Sequence, residues 1–427
     1  MMTNQRARTR RAAYALGLAL LGTVLACSAS DRSTSSSGSK GGDAPAPAST
    51  GEVVSPDAVI GKLRGKVFAP EGTIPVGGAL VALLDKEPEP LPTGLHCAKC
   101  VPLDTGVPFV NAAADGSFEL PVHKAGRAYL VVQKGSFRRV RAIDLISGDQ
   151  EAPRVMSTLP AKNDAAKGDT IPKIAVVMGE FDRIERSLVK LGLGKLVADE
   201  VDKSTLPFDF YDDPSPSSPK SGARLLADPS LLSQYEIVLL PCSGGSGTTC
   251  DDTRPSDPAI QKGLHHFVEQ GGRVYASDYN YEFVRQVWPG TISWEGESKA
   301  VGSACEKTSY DAPAVVDDGE LHDWLGAIGH GSVTLKASWT TMTGVHEVDA
   351  TDADGNPKKV TPHVWMSAQK PDGTHPATVS FERGCGRVMF STFHTAGAAR
   401  DPLMAQEKAL LYVLLEVGVC IDTSIPK

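Results

Sequence analysis

The feature that most constrains the fold of this chain is an alternation of apolar runs and helical patterns in its C-terminal half. Three runs are continuously apolar, as strands buried on both faces are: 173–178, 235–241 and 274–277. Between them, the stretches 181–191 and 258–268 place apolar residues at helical spacing. Strands that alternate with helices predict a parallel sheet in an α/β layer fold.

We expect this α/β domain, flavodoxin-like in its three-layer arrangement, to occupy residues 173–427. Residues 289–371 interrupt the pattern with many Gly, Asp and Ser, which indicates an insertion that is partly β and antiparallel. Two apolar stretches that follow, 376–381 and 386–393, are typical of a hairpin. A final helix is predicted over residues 402–416.

A different pattern fills residues 58–150, where short apolar stretches alternate with turn signals such as Asp115 followed by Gly116. Several short strands with regular turns predict a small all-β sandwich. Residues 151–172 are polar with few large apolar groups, so we expect a linker there. The predicted fold class is therefore multi-domain, an all-β sandwich followed by an α/β domain.

Four segments of the first domain resemble the carboxypeptidase regulatory-like, or transthyretin-like, β-sandwich. They are GKVF from residue 65, ALVAL from residue 79, DGSFEL from residue 115 and AGRAYLVV from residue 125. The resemblance covers about 90 residues of the chain, from position 60 to position 150. It implies a module without catalytic residues that acts as a spacer or interaction unit.

The N-terminus has the features of an export signal. Four arginines precede an apolar run over residues 12–25: Arg6, Arg8, Arg10 and Arg11. This run is short for a membrane span, which needs about 20 residues. Residues 24–27, VLAC, resemble the lipobox of bacterial lipoproteins, in which the cysteine receives lipid. We therefore predict a signal peptide over residues 1–26 and lipidation of Cys27, the alternative being an ordinary secretory signal.

Residues 27–57 are expected to form a disordered tether. They are mostly Ser, Gly, Ala, Pro and Thr, and such a segment cannot offset its ordering entropy by burial. Ser28 follows the predicted lipid site, where an Asp would retain a lipoprotein in the inner membrane of some bacteria. The predicted location is the cell envelope, with a lipid anchor in the outer membrane.

The charge of the chain excludes one class of partner. The formal net charge is −8, and removal of the four N-terminal arginines makes it −12. Nucleic-acid binding depends on Lys and Arg that neutralise phosphates, so we expect no nucleic acid. The expected partners are the membrane, through the lipid anchor, and a glycan, a peptide or another envelope protein.

Exported proteins retain disulfides, and seven cysteines follow Cys27. They are Cys97, Cys100, Cys242, Cys250, Cys305, Cys385 and Cys420. An odd number leaves one thiol over or bonded to a partner.

The spacing of these cysteines suggests several pairings without choosing among them. A bridge between Cys242 and Cys250 would constrain a glycine-rich loop. A bridge between Cys385 and Cys420 would attach the C-terminus to the predicted hairpin. Cys97 and Cys100 can close on each other, or one of them can reach Cys305. For Cys97 and Cys100, a structural disulfide is favoured over redox chemistry.

Three segments of the α/β half resemble the class I glutamine amidotransferase-like fold, in the form found in ThuA-like proteins. They are YEIVLL from residue 235, FVEQGGRVYA from residue 267 and GRVMFSTFH from residue 386. The last segment, with QEKALLY from residue 406 and Cys420, also resembles a group of exported myxobacterial lipoproteins. In that group the same sandwich precedes the same α/β domain, and no established activity is implied.

The amidotransferase resemblance also identifies the positions where catalysis would occur. In active members a cysteine follows the strand equivalent to residues 274–276, and a histidine follows the last strand. Here Ser277 and Asp278 occupy the first place and His394 the second. The cysteine and its flanking glycines are missing, so amidotransferase activity is not expected. A hydrolase that uses Ser277, His394 and an unidentified acid is the alternative.

Open α/β sheets bind ligands at the carboxyl ends of their strands, which gives a set of candidate binding residues. They are Glu180, Ser243, Asp278, Tyr279, Tyr281 and Glu282. Tyrosines suit binding surfaces, but the same rings can instead cover the helix that follows the strand.

We expect no cofactor and no metal ion. Residues 352–356 resemble a calcium loop, but its first and twelfth positions would be Ala350 and Thr361, so a hairpin turn is favoured. The chain also lacks the His-Glu-x-x-His zinc motif and a phosphate-binding P-loop.

These observations favour a membrane-anchored envelope lipoprotein that binds a ligand without transforming it, with the sandwich as its stalk. The alternative is a degenerate or repurposed Ser/His hydrolase. Because the nucleophilic cysteine is absent, the sequence favours the first hypothesis.

Overall fold

The computed structural model describes residues 58–99, 103–215, 217–244, 250, 252–395 and 401–417. The predicted signal peptide, the lipid site Cys27 and the tether lie outside the described residues, as do Cys100 and Cys420.

The first part of the described chain, residues 58–172, is called here the two-sheet unit. Its elements are β1 (Gly61–Lys66), β2 (Leu80–Leu84), β3 (Phe109–Asn111), β4 (Ser117–Val122), β5 (Gly126–Lys134), β6 (Phe137–Leu145), β7 (Gln150–Glu151), α1 (Arg154–Ser157) and β8 (Asp169–Thr170). One sheet has the order β4-β1-β7 and the other β3-β2-β5-β6-β8. Leu63 and Leu120 of the first sheet share one hydrophobic cluster with Val81, Leu130 and Val132 of the second.

The hairpin of β5 and β6 shows how the sequence forms this unit. Leu130 and Val132, two residues apart, lie on the same face of β5 and are fully buried in the core between the sheets. Lys134 pairs with Phe137, which leaves Gly135 to begin the turn with φ at 57°. Glycine adopts this left-handed conformation without steric cost, so the turn forms where the sequence predicts it.

The segment 151–172, predicted as a linker, runs along the two-sheet unit and contributes β8 to it. Asp169 in β8 accepts hydrogen bonds from Arg139 and Arg141 of β6. Burial alone would raise the pKa of Asp169, but these two arginines together lower it below its usual value. Charge pairing with β6, together with the burial of Leu159 and Ile171 in the hydrophobic core, therefore holds this segment in place.

The remaining elements form the α/β unit. They are β9 (Ile174–Val177), α2 (Ile184–Lys190), β10 (Leu196–Val197), β11 (Glu200–Val201), β12 (Asp209–Tyr211), α3 (Gly222–Ala227), α4 (Pro229–Leu232), β13 (Ile237–Leu240), α5 (Pro258–Glu269), β14 (Arg273–Ser277), α6 (Tyr281–Val287), β15 (Ile292–Trp294), β16 (Cys305–Val316), α7 (Gly319–Ala327), β17 (Thr334–Thr340), β18 (Met342–Val345), β19 (Val348–Thr351), β20 (Pro357–Val360), β21 (His363–Lys370), β22 (Gly373–Arg383), β23 (Gly386–Ser391) and α8 (Ala405–Val417).

A nine-stranded sheet organises the described part of this unit, in the order β12-β9-β13-β14-β23-β22-β21-β16-β17. The strands from β12 to β23 are parallel, and the following ones are antiparallel. The buried side chains of α3, α5 and α6 pack on one face of the sheet. Those of α2 and α8 pack on the other. The predicted α/β class is confirmed, because the three apolar runs form β9, β13 and β14 between two helical layers.

Residues 289–371, predicted as a partly β insertion, extend the central sheet through β16, β17 and β21. Asp352 makes the turn between β19 and β20, where its carboxylate accepts hydrogen bonds from the backbone of Asp354 and Asn356. This is the hairpin turn that the sequence favoured over a calcium loop.

The two units pack together through α7 and α8. Trp324 of α7 donates from its indole nitrogen to the carbonyl of Pro75 in the two-sheet unit, at 2.8 Å. Its ring lies against Tyr412 of α8 with centroids 5.0 Å apart. Lys134 of β5 forms a buried ion pair with Glu416 of α8. No helix in the described ranges is both long and apolar enough to cross a membrane.

The disulfides differ from the predicted pairings. Cys97 bonds to Cys385 and Cys250 bonds to Cys305, with Cα atoms 5.1 Å and 6.3 Å apart. Cys242 is buried and, within the described residues, remains a free thiol. The predicted bridges from Cys242 to Cys250 and from Cys385 to Cys420 are therefore wrong, and so is a bridge from Cys97 to Cys100 or to Cys305.

Tertiary packing explains the long-range bridge. The backbone nitrogen of Cys385 donates to the carbonyl of Glu269, at the end of α5. Gly271 follows, and its α-carbon faces the backbone of His96 so closely that a Cβ there would clash. The segments that hold Cys97 and Cys385 thus meet at the same helix end, although 288 residues separate them in sequence.

Candidate functional site

The carboxyl ends of the parallel strands meet at one edge of the sheet, called here the carboxyl edge. Cys242 follows β13, Asp278 follows β14, and His394 follows β23 after three residues. Asp182, in the turn after β9, completes a buried group of polar side chains. Because neighbouring parallel strands end together, residues that are far apart in sequence become adjacent here.

Asp278 lies at a sharp turn between β14 and α6. Its φ of 48° is uncommon for a residue other than glycine, and its side chain is fully buried. Strained backbone of this kind persists where the surrounding structure holds it, and it is enriched at functional sites. This is the position where the amidotransferase resemblance places the nucleophilic cysteine.

The carboxylate of Asp278 accepts from several donors. The backbone nitrogen of Trp339 lies 3.1 Å from both oxygens, and the hydroxyl of Thr340 donates to Oδ1 at 2.9 Å. His394 Nε2 lies 2.8 Å from Oδ2. Burial raises the pKa of Asp278 to about 6, even though His394 and the other donors favour the ionised form. Strand β17, from the insertion, therefore closes over the carboxyl edge.

The contact between His394 and Asp278 is short but poorly directed. His394 is 7% exposed, and within the described structure its Nε2 makes no hydrogen bond of acceptable angle. Burial lowers the pKa of His394, but the nearby carboxylate outweighs this and raises it overall. The attraction between His394 and Asp278 is therefore mainly electrostatic, and Nε2 of His394 does not make a well-aligned hydrogen bond with a described residue.

Cys242 completes a cluster with these two residues. Its sulfur, a carboxylate oxygen of Asp278 and a ring nitrogen of His394 all lie within 4.8 Å of one another, and all three side chains are buried. Burial, with a further contribution from Asp278, raises the pKa of the thiol well above its usual value. The spacing of the cysteines suggests a disulfide for Cys242, whereas the structure places its free thiol beside Asp278 and His394.

Ser277 points into a second, adjacent network. Its hydroxyl donates to Asp182 Oδ2 at 2.7 Å and accepts from the backbone nitrogen of Cys242 at 2.9 Å. Thr395 donates to Asp182 Oδ1 from its backbone nitrogen, at 3.0 Å, and from its hydroxyl. The described hydrogen bonds of Ser277 thus go to Asp182 and Cys242, and they do not join it to His394.

Three of the predicted binding residues lie at the carboxyl edge besides Asp278. Glu180 is exposed there, and Ser243 is buried beside Cys242. The ring of Tyr279 packs edge-to-face between Phe181 and Trp339, with centroid distances of 5.8 and 5.9 Å. Phe181, Tyr279 and Trp339 are called here the aromatic triplet.

Tyr281 and Glu282 lie elsewhere, which corrects the sequence-based expectation. The ring of Tyr281 is buried against Trp294, and its hydroxyl accepts from the backbone nitrogen of Ala304. The carboxylate of Glu282 is buried and bonded to Arg285. Both residues begin α6, which turns their side chains from the carboxyl edge into the helical layer.

Asp182, Trp339 and Thr340 are the other site residues that sequence reasoning missed. The sequence indicates Asp182 only weakly, because this residue, like Glu180, follows a buried strand by a few positions. No sequence pattern indicates a site role for Trp339 or Thr340, because they contact Asp278 across 61 and 62 residues of sequence.

Comparisons with known proteins give no family assignment. No family model matches the sequence, and no curated protein matches it. Similar solved structures include a ThuA-like protein from Bacteroides uniformis, with 12% identity and a TM-score of 0.33, over 57% of this chain and 89% of that one. A ThuA-like protein from Parabacteroides merdae has 15% identity and a TM-score of 0.29, over 60% and 92%. A β-galactosidase from Rahnella has 12% identity and a TM-score of 0.29, and the match covers 62% of this chain but 34% of the galactosidase.

Proposed function

We propose that this chain is a lipid-anchored envelope protein whose α/β unit binds a ligand at the carboxyl edge without transforming it. The two-sheet unit, a sandwich of the carboxypeptidase regulatory-like type, serves as the stalk. The α/β unit belongs to the amidotransferase-like, ThuA-like type, and the chain as a whole to the myxobacterial type of exported lipoprotein. The ligand is a glycan, a peptide or another envelope protein.

The aromatic triplet is the observation that carries the binding role. Phe181 and Trp339 are partly exposed, and both contact Tyr279. Tyr279 follows the buried Asp278 in sequence, and the backbone nitrogen of Trp339 donates to Asp278. Rigid aromatic side chains provide large contact area at low entropic cost, and they are enriched at binding surfaces. Their place at the carboxyl edge is where open α/β sheets bind ligands.

The hydrogen bonding of Ser277 supports a non-catalytic role over the hydrolase alternative. A serine nucleophile needs a base within hydrogen-bond reach and access to substrate. Ser277 is 0% exposed, and its hydroxyl donates to Asp182. The hydrolase alternative depends on a rearrangement that frees this hydroxyl and turns it toward His394.

Trp339→Ala is expected to weaken ligand binding by about 10-fold or more, because losing a central aromatic contact typically costs over 1 kcal/mol. The measurement is tryptophan fluorescence of full-length protein in detergent, titrated with peptidoglycan fragments, oligosaccharides and peptides. Tyr129→Ala removes a partly exposed aromatic from the two-sheet unit and is the matched control. Equal affinity of Trp339→Ala and the wild type for a bound probe would contradict the proposal.

The same preparation tests the hydrolase alternative. We expect no turnover of p-nitrophenyl esters above the rate of a Ser277→Ala variant, since the buried hydroxyl is bonded to Asp182. Hydrolysis that disappears in both Ser277→Ala and His394→Ala would instead establish the hydrolase.

Cys27→Ser is expected to move the protein from the outer-membrane fraction to the soluble envelope fraction. Two or more acyl chains give stable membrane anchoring, and Cys27→Ser removes the thiol that would receive them. Carbonate-washed membrane fractions and immunoblotting measure this, with Ser28→Ala as the control. Retention of Cys27→Ser in washed membranes would refute the lipid anchor.

A further inference from the structure

The cluster of Cys242, Asp278 and His394 has the composition of a transition-metal site. A thiol, a carboxylate and an imidazole come from the ends of three adjacent strands, with their candidate ligand atoms within 4.8 Å of one another. Zn²⁺ takes these three ligand types at about 2.0–2.3 Å, so its ligand atoms lie about 3.3–3.7 Å apart. No separation in the cluster exceeds that spacing by more than about 1 Å, and the 2.8 Å between His394 Nε2 and Asp278 Oδ2 is about 0.5 Å below it. Side-chain rotation that moves these two atoms slightly apart and brings the sulfur closer would give the spacing of a metal site.

The charge around the cluster favours a cation. Asp182 and Asp278 are both 0% exposed. In the part of the chain that the structure describes, neither carboxylate has a lysine or arginine within ion-pair distance, and His394 is the one basic partner of Asp278. A charged His394 balances one of these two buried carboxylates, whereas a divalent ion would balance both.

The ring nitrogen of His394 gives an independent indication. The side chain is 7% exposed, and Nε2 lies 2.8 Å from Asp278 Oδ2 without meeting the geometry of a hydrogen bond to any described residue. Buried polar atoms in native proteins nearly always have a partner. Metal ions bind the neutral imidazole, so coordination through Nε2 would replace its contact with Asp278 and release to solvent any proton held there.

We propose that Cys242, Asp278 and His394 bind one divalent transition-metal ion, with Zn²⁺ as the best match to the ligand set. Sγ, a carboxylate oxygen and Nε2 are the three protein ligands, which leaves a fourth position for water or an incoming ligand. Binding displaces the thiol proton of Cys242 to solvent, and the thiolate forms the bond to the metal. The site is independent of the proposed binding role, and it replaces the expectation from sequence that the chain holds no metal.

Two further residues position the carboxylate. The backbone nitrogen of Trp339 and the hydroxyl of Thr340 donate to Asp278 and fix its orientation. Outer-shell partners of this kind orient ligands and raise affinity. Since Trp339 also belongs to the aromatic triplet, it connects the metal site to the proposed binding surface.

The test uses full-length protein in detergent, stripped with a chelator and titrated with Zn²⁺ and Co²⁺. We expect one equivalent of either metal, and with Co²⁺ the thiolate-to-cobalt charge-transfer band and the intense visible bands of a tetrahedral site. Cys242→Ser should abolish the charge-transfer band. Cys242→Ser and His394→Gln should each weaken Zn²⁺ binding at least about 100-fold, since even outer-shell changes cost 10–100-fold.

The matched control is His266→Gln, an exposed histidine on α5, which should bind as the wild type does. Far-UV circular dichroism shows whether each variant folds. The proposal is overturned if wild-type protein gives no charge-transfer band with Co²⁺. This test uses the wild type alone, so it does not depend on whether a variant folds. It is also overturned if folded Cys242→Ser and His394→Gln keep wild-type Zn²⁺ affinity.

Discussion

Replacing both Cys97 and Cys385 by alanine is expected to lower the free energy of unfolding by about 5 kcal/mol, close to the upper limit for one disulfide. The bridge closes a loop with a sequence separation of 288 residues. In the chain-entropy account, the cross-link restricts the unfolded ensemble more as the loop grows. This bridge connects a segment of the two-sheet unit to the β22–β23 turn, so its loss also weakens the attachment between the units.

The Cys250–Cys305 bridge provides the matched comparison. Its sequence separation is 55 residues, so the double alanine variant should lose about 1.5 kcal/mol less than the Cys97 and Cys385 variant does. Urea denaturation followed by circular dichroism measures both losses under the same non-reducing conditions. A larger loss from the shorter loop would show that native-state contacts, rather than loop entropy, determine the contribution of these bridges.

Trp324→Ala is expected to destabilise the protein by about 4 kcal/mol, within the range of 3–5 kcal/mol for a buried Trp→Ala change. The side chain is 4% exposed, lies 5.0 Å from the ring of Tyr412, and donates to the carbonyl of Pro75. Its removal leaves a cavity where the units meet and takes the hydrogen-bond donor from Pro75. Chemical denaturation measures the loss, and separate transitions for the two units would show that Trp324 couples them.

Two control variants separate the parts of this effect. Trp324→Phe keeps most of the ring but loses the bond to Pro75, so we expect a smaller loss of about 1–3 kcal/mol. Trp339→Ala makes the same change at a partly exposed ring, which buries less apolar area. We therefore expect Trp339→Ala to lower the free energy of unfolding less than Trp324→Ala does. Equal losses for Trp324→Ala and Trp339→Ala would contradict the account of Trp324 as a core residue between the units.

Local sequence patterns predicted the secondary-structure elements well, and the reason is physical. The runs that became β9 and β13 are apolar at every position because both faces of these strands are covered by helices. Helix α5 begins where Asp257 precedes Pro258, and the Asp257 side chain accepts from the backbone nitrogen of Ala259 as an N-cap does. Each of these signals acts within a few residues, so a single sequence contains it.

The predicted site was less accurate, because side-chain direction depends on how the chain continues. Asp278 and Tyr279 face the carboxyl edge, whereas Tyr281 and Glu282, two or three residues later, face into the helical layer. A short 3-10 turn from Asp278 to Asn280, followed at once by α6, causes this change of direction. The sequence places all four residues after one strand but does not specify that turn.

The elements, the α/β class and the strand ends with polar residues could be predicted from the amino-acid sequence, because they follow from patterns that repeat every two or every 3.6 residues. Which of the polar residues meet depends on the tertiary structure. Cys242 lies beside Asp278 and His394 rather than in a disulfide, and Trp339 reaches Asp278 across 61 residues of sequence. These contacts depend on strand order and on the path of the insertion, which are set by the packing of the whole sheet and have no local signal.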